Sequence, residues 1–269
     1  MRELRYFKES GIPDINVALA GISKVDWVCV HISALLGDAK DQMMFNNFDI
    51  LPIVEPDGKV IKCYKTKKWG NYDPENIIEH TIISDDKMYY LTHIHDAIIK
   101  FATTGRNFFF LDNQSEIVGL MTIGNLNCKH VYLYLYHLIV ELEHELSNFI
   151  TRKGILDKDL IEIFEIRVSS SNAQDVLKRY KNDKETGYDF KFLEYVYLMD
   201  LVYIFKFKKL TKLLDLSNTD FEKQIKYIND IRSIVAHPNK SLIKDDQSIK
   251  HLHKAILAID LVLSKIRSV

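Results

Sequence analysis

Along the chain the apolar residues change period once. From Trp27 to about Thr122 they come in short runs: Trp27 to Ile32, Ile50 to Val54, Val60 to Tyr64, Met88 to Leu91, Phe108 to Leu111 and Ile117 to Met121. Each run has strand length and is rich in β-branched and aromatic residues, which fit a pleated, half-buried surface. Asp57-Gly58 between two of the runs predicts a hairpin, because Gly supplies the positive φ that a tight turn needs. Helical spacing occurs around Leu36 to Phe45 and Asp96 to Thr103. The first half therefore predicts an α/β fold.

After Asn125 the period becomes helical. Val131, Leu135, Leu138, Leu142, Leu146 and Phe149 form one stripe. Leu160 to Tyr180, Phe190 to Leu214, Phe221 to Ala236 and Ile249 to Ile266 repeat the pattern, with Gly154, Gly187, Ser217-Asn218 and Pro238 between them. Five helices with short connections predict an all-α bundle. The expected division is 20–127 for the α/β domain and 128–269 for the bundle. No Pro or Gly run separates them, so a stiff helix opening near Asn125 is expected to run straight into the bundle.

Composition narrows the chemistry. The chain has 269 residues, with 36 Lys+Arg against 37 Asp+Glu, so nucleic acid would have to be held by a local patch or an oligomer cleft. Ten Gly and five Pro disfavour a Gly-rich phosphate loop. Cys29, Cys63 and Cys128 include no Cys-x-x-Cys pair, which argues against a disulfide framework and a Cys-based zinc site. The most apolar window, Leu193 to Phe207, is interrupted by Glu194, Asp200 and Lys206, and MRELRYFKES has no apolar signal segment. A cytoplasmic protein without a membrane partner is expected.

Two segments of the first half resemble each other: DAKDQMMFNNFDILPIVEPDGKVIKCYKT, from Asp38 to Thr66, and DAIIKFATTGRNFFFLDNQSEIVGLMTIGNL, from Asp96 to Leu126. Each runs helix, strand, acidic turn, strand. This internal repeat resembles the tandem CBS domain, a regulatory pair that often binds adenine nucleotides or adenosyl compounds. The family's ligand motif is similar to Gly119-Leu120-Met121-Thr122-Ile123-Gly124-Asn125, with Asn125 where Asp is usual. The resemblance implies nucleotide binding by Gly119, Thr122 and Asn125, Thr122 meeting phosphate and Asn125 ribose. ATP, AMP and S-adenosylmethionine are the regulatory ligands to expect. The first repeat departs further, reading Lys62-Cys63-Tyr64-Lys65-Thr66-Lys67-Lys68 in the same frame, so one adenosine site is expected at most. The basic run from Lys59 to Lys68 reads either as a polyphosphate site or as a lysine-guarded strand edge.

In the second half, Phe221, Ile225, Ile228, Ile231 and Val235 form an apolar stripe, and Arg232 lies beside it, four residues beyond Ile228. A guanidinium there needs a partner or a cleft. Pro238 biases His237 out of the α region, so the helix should stop at about His237. Arg232-x4-His237 at a helix end in an α-bundle resembles the HEPN superfamily, and LIVELEHELSNFI from Leu138 to Ile150 is similar to its opening helix. That resemblance implies a homodimeric, metal-independent endoribonuclease with a composite cleft, RNA as substrate, and products carrying a 2′,3′-cyclic phosphate and a 5′-OH. His237 is the residue type for proton transfer. Arg232 suits phosphate binding and transition-state charge. Ser233 and Asn229 would orient the imidazole if helical geometry persists. No catalytic cofactor or metal is expected, and toxin or defence roles are plausible by analogy. The alternative is a non-catalytic nucleotide-binding regulator or scaffold, in which Arg232 and His237 complement the helix dipole.

Other constellations carry less. His93-x-His95-Asp96 lacks a completing His/Asp set, and Glu141-x-x-His144 lacks a second copy. His251-x-His253 has no matched acidic partner and reads as surface or dimer contact. The tyrosines from Tyr132 to Tyr136 and Tyr195 to Tyr203 read as core or dimer packing rather than as stacking platforms for bases.

Overall fold

A computed structural model describes residues 15–167, 170–187, 190–237 and 239–269. Its contacts divide the chain into two compact units. Among the described residues, one comprises 15–133 with 241–250; the other takes 134–240 and 251–269.

The α/β unit opens with a short helix α1 (Val17–Ala20) and strand β1 (Ile22–Ser23). Two βαββ motifs follow. The first is β2 (Val30–His31), α2 (Leu36–Asn46), β3 (Ile50–Val54) and β4 (Val60–Thr66), with β5 (Ile77–Thr81) added. The second is β6 (Lys87–Tyr89), α3 (Ile94–Thr104), β7 (Phe108–Asn113) and β8 (Glu116–Thr122). In both, the helix connects two parallel strands and a hairpin follows. The sheet orders are β2-β3-β4-β5 and β1-β8-β7-β6. The repeat read in the sequence is therefore a repeat of topology. Each sheet gains one further antiparallel strand from outside its motif, β5 on β4 and β1 on β8. These two strands were not legible, being two residues long (β1) or of mixed polarity (β5, IIEHT).

Ile50, Val60 and Cys63 from one motif pack with Phe108, Phe110, Ile117 and Leu120 from the other, so the shared core is built by equivalent strands. Burial pushes the Cys63 thiol up to about 12, which leaves it an inert packing group. On the other face of the first sheet, Ala39 and Met43 of α2 pack on Leu51, Ile53 and Tyr64. The Asp57-Gly58 turn forms as expected, with Gly58 at φ +80°.

Asp86, fully removed from water, closes the second motif. It accepts from the Ile83 N–H at 3.0 Å, contacts His80 Nε2 at 2.7 Å and pairs with Arg106. Burial pushes its carboxyl up, but those three partners together hold it below the ordinary aspartate value.

The helical unit contains most of α4 (Lys129–Arg152), then α5 (Asp157–Ile166), α6 (Ser171–Glu185), α7 (Leu198–Phe207), α8 (Asn218–Val235) and most of α9 (Asp246–Arg267). Phe149, Phe205 and Phe221 stack in series at 5.5 and 5.4 Å, joining α4, α7 and α8. The α4 stripe from Val131 to Phe149 is buried throughout.

Three expectations are corrected here. Leu160 to Tyr180 is two helices, the second capped by Ser170, whose hydroxyl accepts from the Ala173 N–H. Phe190 to Leu214 holds one α-helix between two 3-10 turns, Phe192–Tyr195 and Leu210–Leu214. No continuous helix opens at Asn125. A 3-10 turn covers Ile123–Asn127, Cys128 is extended, and α4 starts at Lys129. By contacts the units divide at Leu133/Tyr134, and 241–250 join the α/β unit. That segment is pinned by the Asn127 amide, which donates to Ile243 O at 2.9 Å and accepts from Ile243 N at 2.8 Å.

Two stability predictions follow from this packing. A Cβ at Gly119 would stand 2.7 Å from Ile22 O, where β1 pairs with β8, whereas one at Gly37 in α2 meets nothing. Gly119→Ala should cost about 1–3 kcal/mol in urea unfolding, and Gly37→Ala should add roughly 0.5 kcal/mol. A carboxylate depressed in the fold contributes stability above its unfolded pKa and loses it as pH falls through the folded value. Stability measured below pH 3.8, the ordinary aspartate value, should therefore fall less steeply in Asp86→Asn than in wild type.

Candidate functional site

Arg232 occupies the last turn of α8, beside a stripe in which Phe221, Ile225, Ile228, Ile231 and Val235 are all buried. The partner that its position demanded is Glu143 of α4. Arg232 Nε donates to Glu143 Oε1 at 3.0 Å, with both side chains about a third exposed or less. The guanidinium carbon also lies 6.0 Å from the centre of the Tyr197 ring, at the start of α7. The terminal nitrogens of Arg232 have no other hydrogen-bond partner among the described residues. One donor is thus committed to fixing the group, and the rest can meet an oxyanion.

Helix α8 ends at Val235, with Ala236 as its cap, two residues earlier than expected. His237 follows in a turn, its N–H bonded to Ile234 O at 3.0 Å and its carbonyl accepting from Lys240 N at 2.8 Å. Its ring is exposed and has no side-chain partner among the described residues. Pro238, on which the helix-stop argument rested, lies outside the described residues. Because α8 stops short of His237, the i,i+4 relation of Ser233 to His237 is not helical. Ser233 is exposed and Asn229 half-buried, and neither hydrogen-bonds the imidazole. Those two residues are beside Arg232 in sequence but are not brought to His237 as orienting groups.

In the α/β unit, Thr122 ends β8 and caps the 3-10 turn. Asn125 Oδ1 accepts both from the Thr122 N–H at 2.7 Å and from its hydroxyl at 2.9 Å. The amide oxygen expected to meet ribose is thus occupied within the chain. What remains for a ligand is the Thr122 oxygen as acceptor and the Asn125 NH₂ as donor. Gly119 is buried in the sheet, where it permits the close approach of β1, so packing accounts for it. A shallow recess of about 90 Å³ in this unit is lined by Phe101, Arg106, Asn107, Ile123, Asp246 and Lys250, and by none of Gly119, Thr122 or Asn125.

The basic run is largely spoken for. Lys59 pairs with Asp57, Lys62 with Glu79, and Lys67 donates to Glu75 O. Among the described residues no cluster of three or more His, Cys, Asp or Glu could hold a metal ion. Glu141 instead pairs with Arg267, and His93 Nδ1 caps α3 by accepting from the His95 N–H. One reading is overturned: His251 does have an acidic partner, Asp230 at 3.4 Å. The tyrosines also divide, for Tyr132, Tyr134 and Tyr195 are buried while Tyr136 and Tyr197 are exposed. No described helix is long and apolar enough to cross a membrane.

No family model matches the chain, and no curated protein does. Solved structures similar to it cover 42% of the chain, in its N-terminal part. An uncharacterized conserved protein from Pyrococcus horikoshii shares 16% identity at a TM-score of 0.32, over 89% of its own length. A putative acetoin utilization protein from Vibrio cholerae shares 15% at 0.34, over 88%. A CBS domain pair, solved in complex with 5′-methylthioadenosine and S-adenosyl-L-methionine, shares 16% at 0.32, over 96%.

The Arg232–Glu143 contact can be measured directly. Single and double alanine variants at the two positions should give a coupling energy of about 1 kcal/mol in urea unfolding, the range for partly exposed ion pairs. A coupling near zero would mean that Glu143 does not fix the guanidinium.

Proposed function

We propose that the chain is a metal-independent endoribonuclease whose activity responds to an adenine nucleotide or adenosyl compound. The observation that carries this reading is the Arg232 guanidinium, held through one nitrogen by Glu143, five residues before an exposed imidazole; among the described residues neither its terminal nitrogens nor that imidazole has another side-chain partner. RNA supplies its own nucleophile. A base removes the proton of the 2′-OH, the oxygen attacks phosphorus, and the P–O5′ bond breaks as the leaving oxygen takes a proton. His237 has the chemistry for either transfer. Arg232 neutralises charge that grows on the equatorial phosphate oxygens. A homodimer would bring a second Arg232–His237 pair, so that one imidazole acts as base and the other as acid. The reaction is placed in the cytoplasm.

The regulatory arm rests on the paired βαββ motifs and on Thr122 and Asn125. The Thr122 oxygen and Asn125 NH₂ match a ribose edge, which donates and accepts. The non-catalytic alternative has one observation in its favour: an arginine paired to Glu143 is also what a structural role would need. In that reading nucleotide binding alters assembly.

Labelled single-stranded RNA incubated in EDTA separates the two readings. Wild type should leave 2′,3′-cyclic phosphate ends, while His237→Ala should lose at least roughly a hundredfold in rate without a change in melting temperature. Equal cleavage by both proteins, or none by wild type with and without ATP, AMP and S-adenosylmethionine, would favour the scaffold. The regulatory arm is tested by melting temperature: one of these ligands should raise it in wild type and not in Thr122→Val.

A further inference from the structure

We propose that Tyr197, flanked by Arg179 and Arg232, is a base-stacking subsite for single-stranded RNA beside the Arg232 phosphate site. This rests on the ribonuclease reading and specifies its substrate class. Tyr197 is 46% exposed, although Tyr195 before it and Leu198 after it are buried. A large aromatic ring therefore stays in water between two buried side chains, Tyr195 two residues before it and Leu198 next to it.

The backbone that carries the ring is fixed. The Tyr197 N–H donates to Asp200 Oδ2 at 3.1 Å, and Asp200 is fixed in turn by Arg167 and Asn172, each at 3.0 Å. A main chain fixed before binding leaves only the side-chain torsions to be ordered by a ligand. Two guanidiniums converge on it, with the Arg179 carbon 5.4 Å and the Arg232 carbon 6.0 Å from its centre. Both distances fall within cation–π reach. Arg179 is itself oriented, through Nε to Asp175 at 3.0 Å and through Nη2 to Tyr195 O at 3.2 Å.

An exposed aromatic ring with two guanidiniums beside it offers what a single strand can use: planar groups for an unstacked base and donors for the neighbouring phosphates. Duplex RNA keeps its bases stacked inside and cannot use the ring. The exposed Asp175 and half-buried Glu143 form weak ion pairs that leave donors over for phosphate. Tyr197 thus adds to the site a selection for unpaired nucleotides, and Arg179 a second backbone contact.

The test uses the full chain carrying His237→Ala, which binds without cleaving. Its Kd is measured by fluorescence anisotropy for a labelled single-stranded oligoribonucleotide, an abasic strand of equal length, and the same strand in a duplex. Adding Tyr197→Ala should raise the Kd for the oligoribonucleotide about tenfold, the range for loss of one stacked base, and leave the abasic strand and duplex within about twofold. Tyr197→Phe, which keeps the ring, should bind like the parent and confirm that the position tolerates substitution. Unchanged affinity in Tyr197→Ala, or an equal loss on the abasic strand, overturns the subsite and leaves the ribonuclease standing if wild type cleaves. A parent protein that binds none of the three overturns both.

Discussion

A carboxylate with no access to water must have its charge and lone pairs answered inside the protein. Asp200 meets that demand by joining three helix ends: Arg167 just beyond α5, Asn172 in the first turn of α6, and the Tyr197 N–H at the start of α7. The last bond decides where α7 begins. Tyr197 is consequently extended, at φ −105° and ψ 170°, and its ring stays outside the core that Leu198 enters. The ring then meets Arg232 across from the end of α8. The geometry around the candidate catalytic arginine thus depends on a buried charge in another helix.

Arg232 illustrates why pairing alone does not distinguish structure from catalysis. A guanidinium beside a buried stripe has to be paired in either case, and Glu143 does this at 3.0 Å. The two readings share that ground state and differ only in what the terminal nitrogens do when a phosphate arrives. His237 carries no such tie, since among the described residues its exposed ring has no side-chain partner, and its ground state is therefore the same in both readings.

The elements that were legible in the sequence owe their signal to one-sided burial. The α4 and α8 stripes, six of the strands and the internal repeat all follow from apolar periodicity. What escaped detection lacks that signature. The break inside Phe190 to Leu214 has no Gly or Pro to mark it and is set by Asp200, which the sequence presents only as an interruption in an apolar window. Glu143 lies 89 residues from Arg232, so its role depends on helix packing that local patterning does not encode. Ser233 and Asn229 were placed by assuming an unbroken helix to His237, and α8 ends at Val235. Tyr197 was grouped with its buried neighbours because residue type alone cannot separate a ring in the core from one at a helix cap.

The two candidate sites differ in what a ligand must displace. At Thr122 the hydroxyl and the Asn125 oxygen satisfy each other, so a nucleotide that uses either group in its motif role, phosphate on Thr122 or ribose on Asn125, exchanges an existing bond for a new one, with small net gain. At Arg232 only one donor is spent on Glu143, and a phosphate adds charge-assisted bonds without breaking that contact. The chain as a whole carries a formal charge of −1, so attraction for any polyanion has to arise locally, from such uncommitted donors. The physical asymmetry therefore favours the helical unit as the place where a phosphate-bearing ligand gains most. Regulation through the α/β unit requires that its ligand offer contacts beyond the Thr122–Asn125 pair.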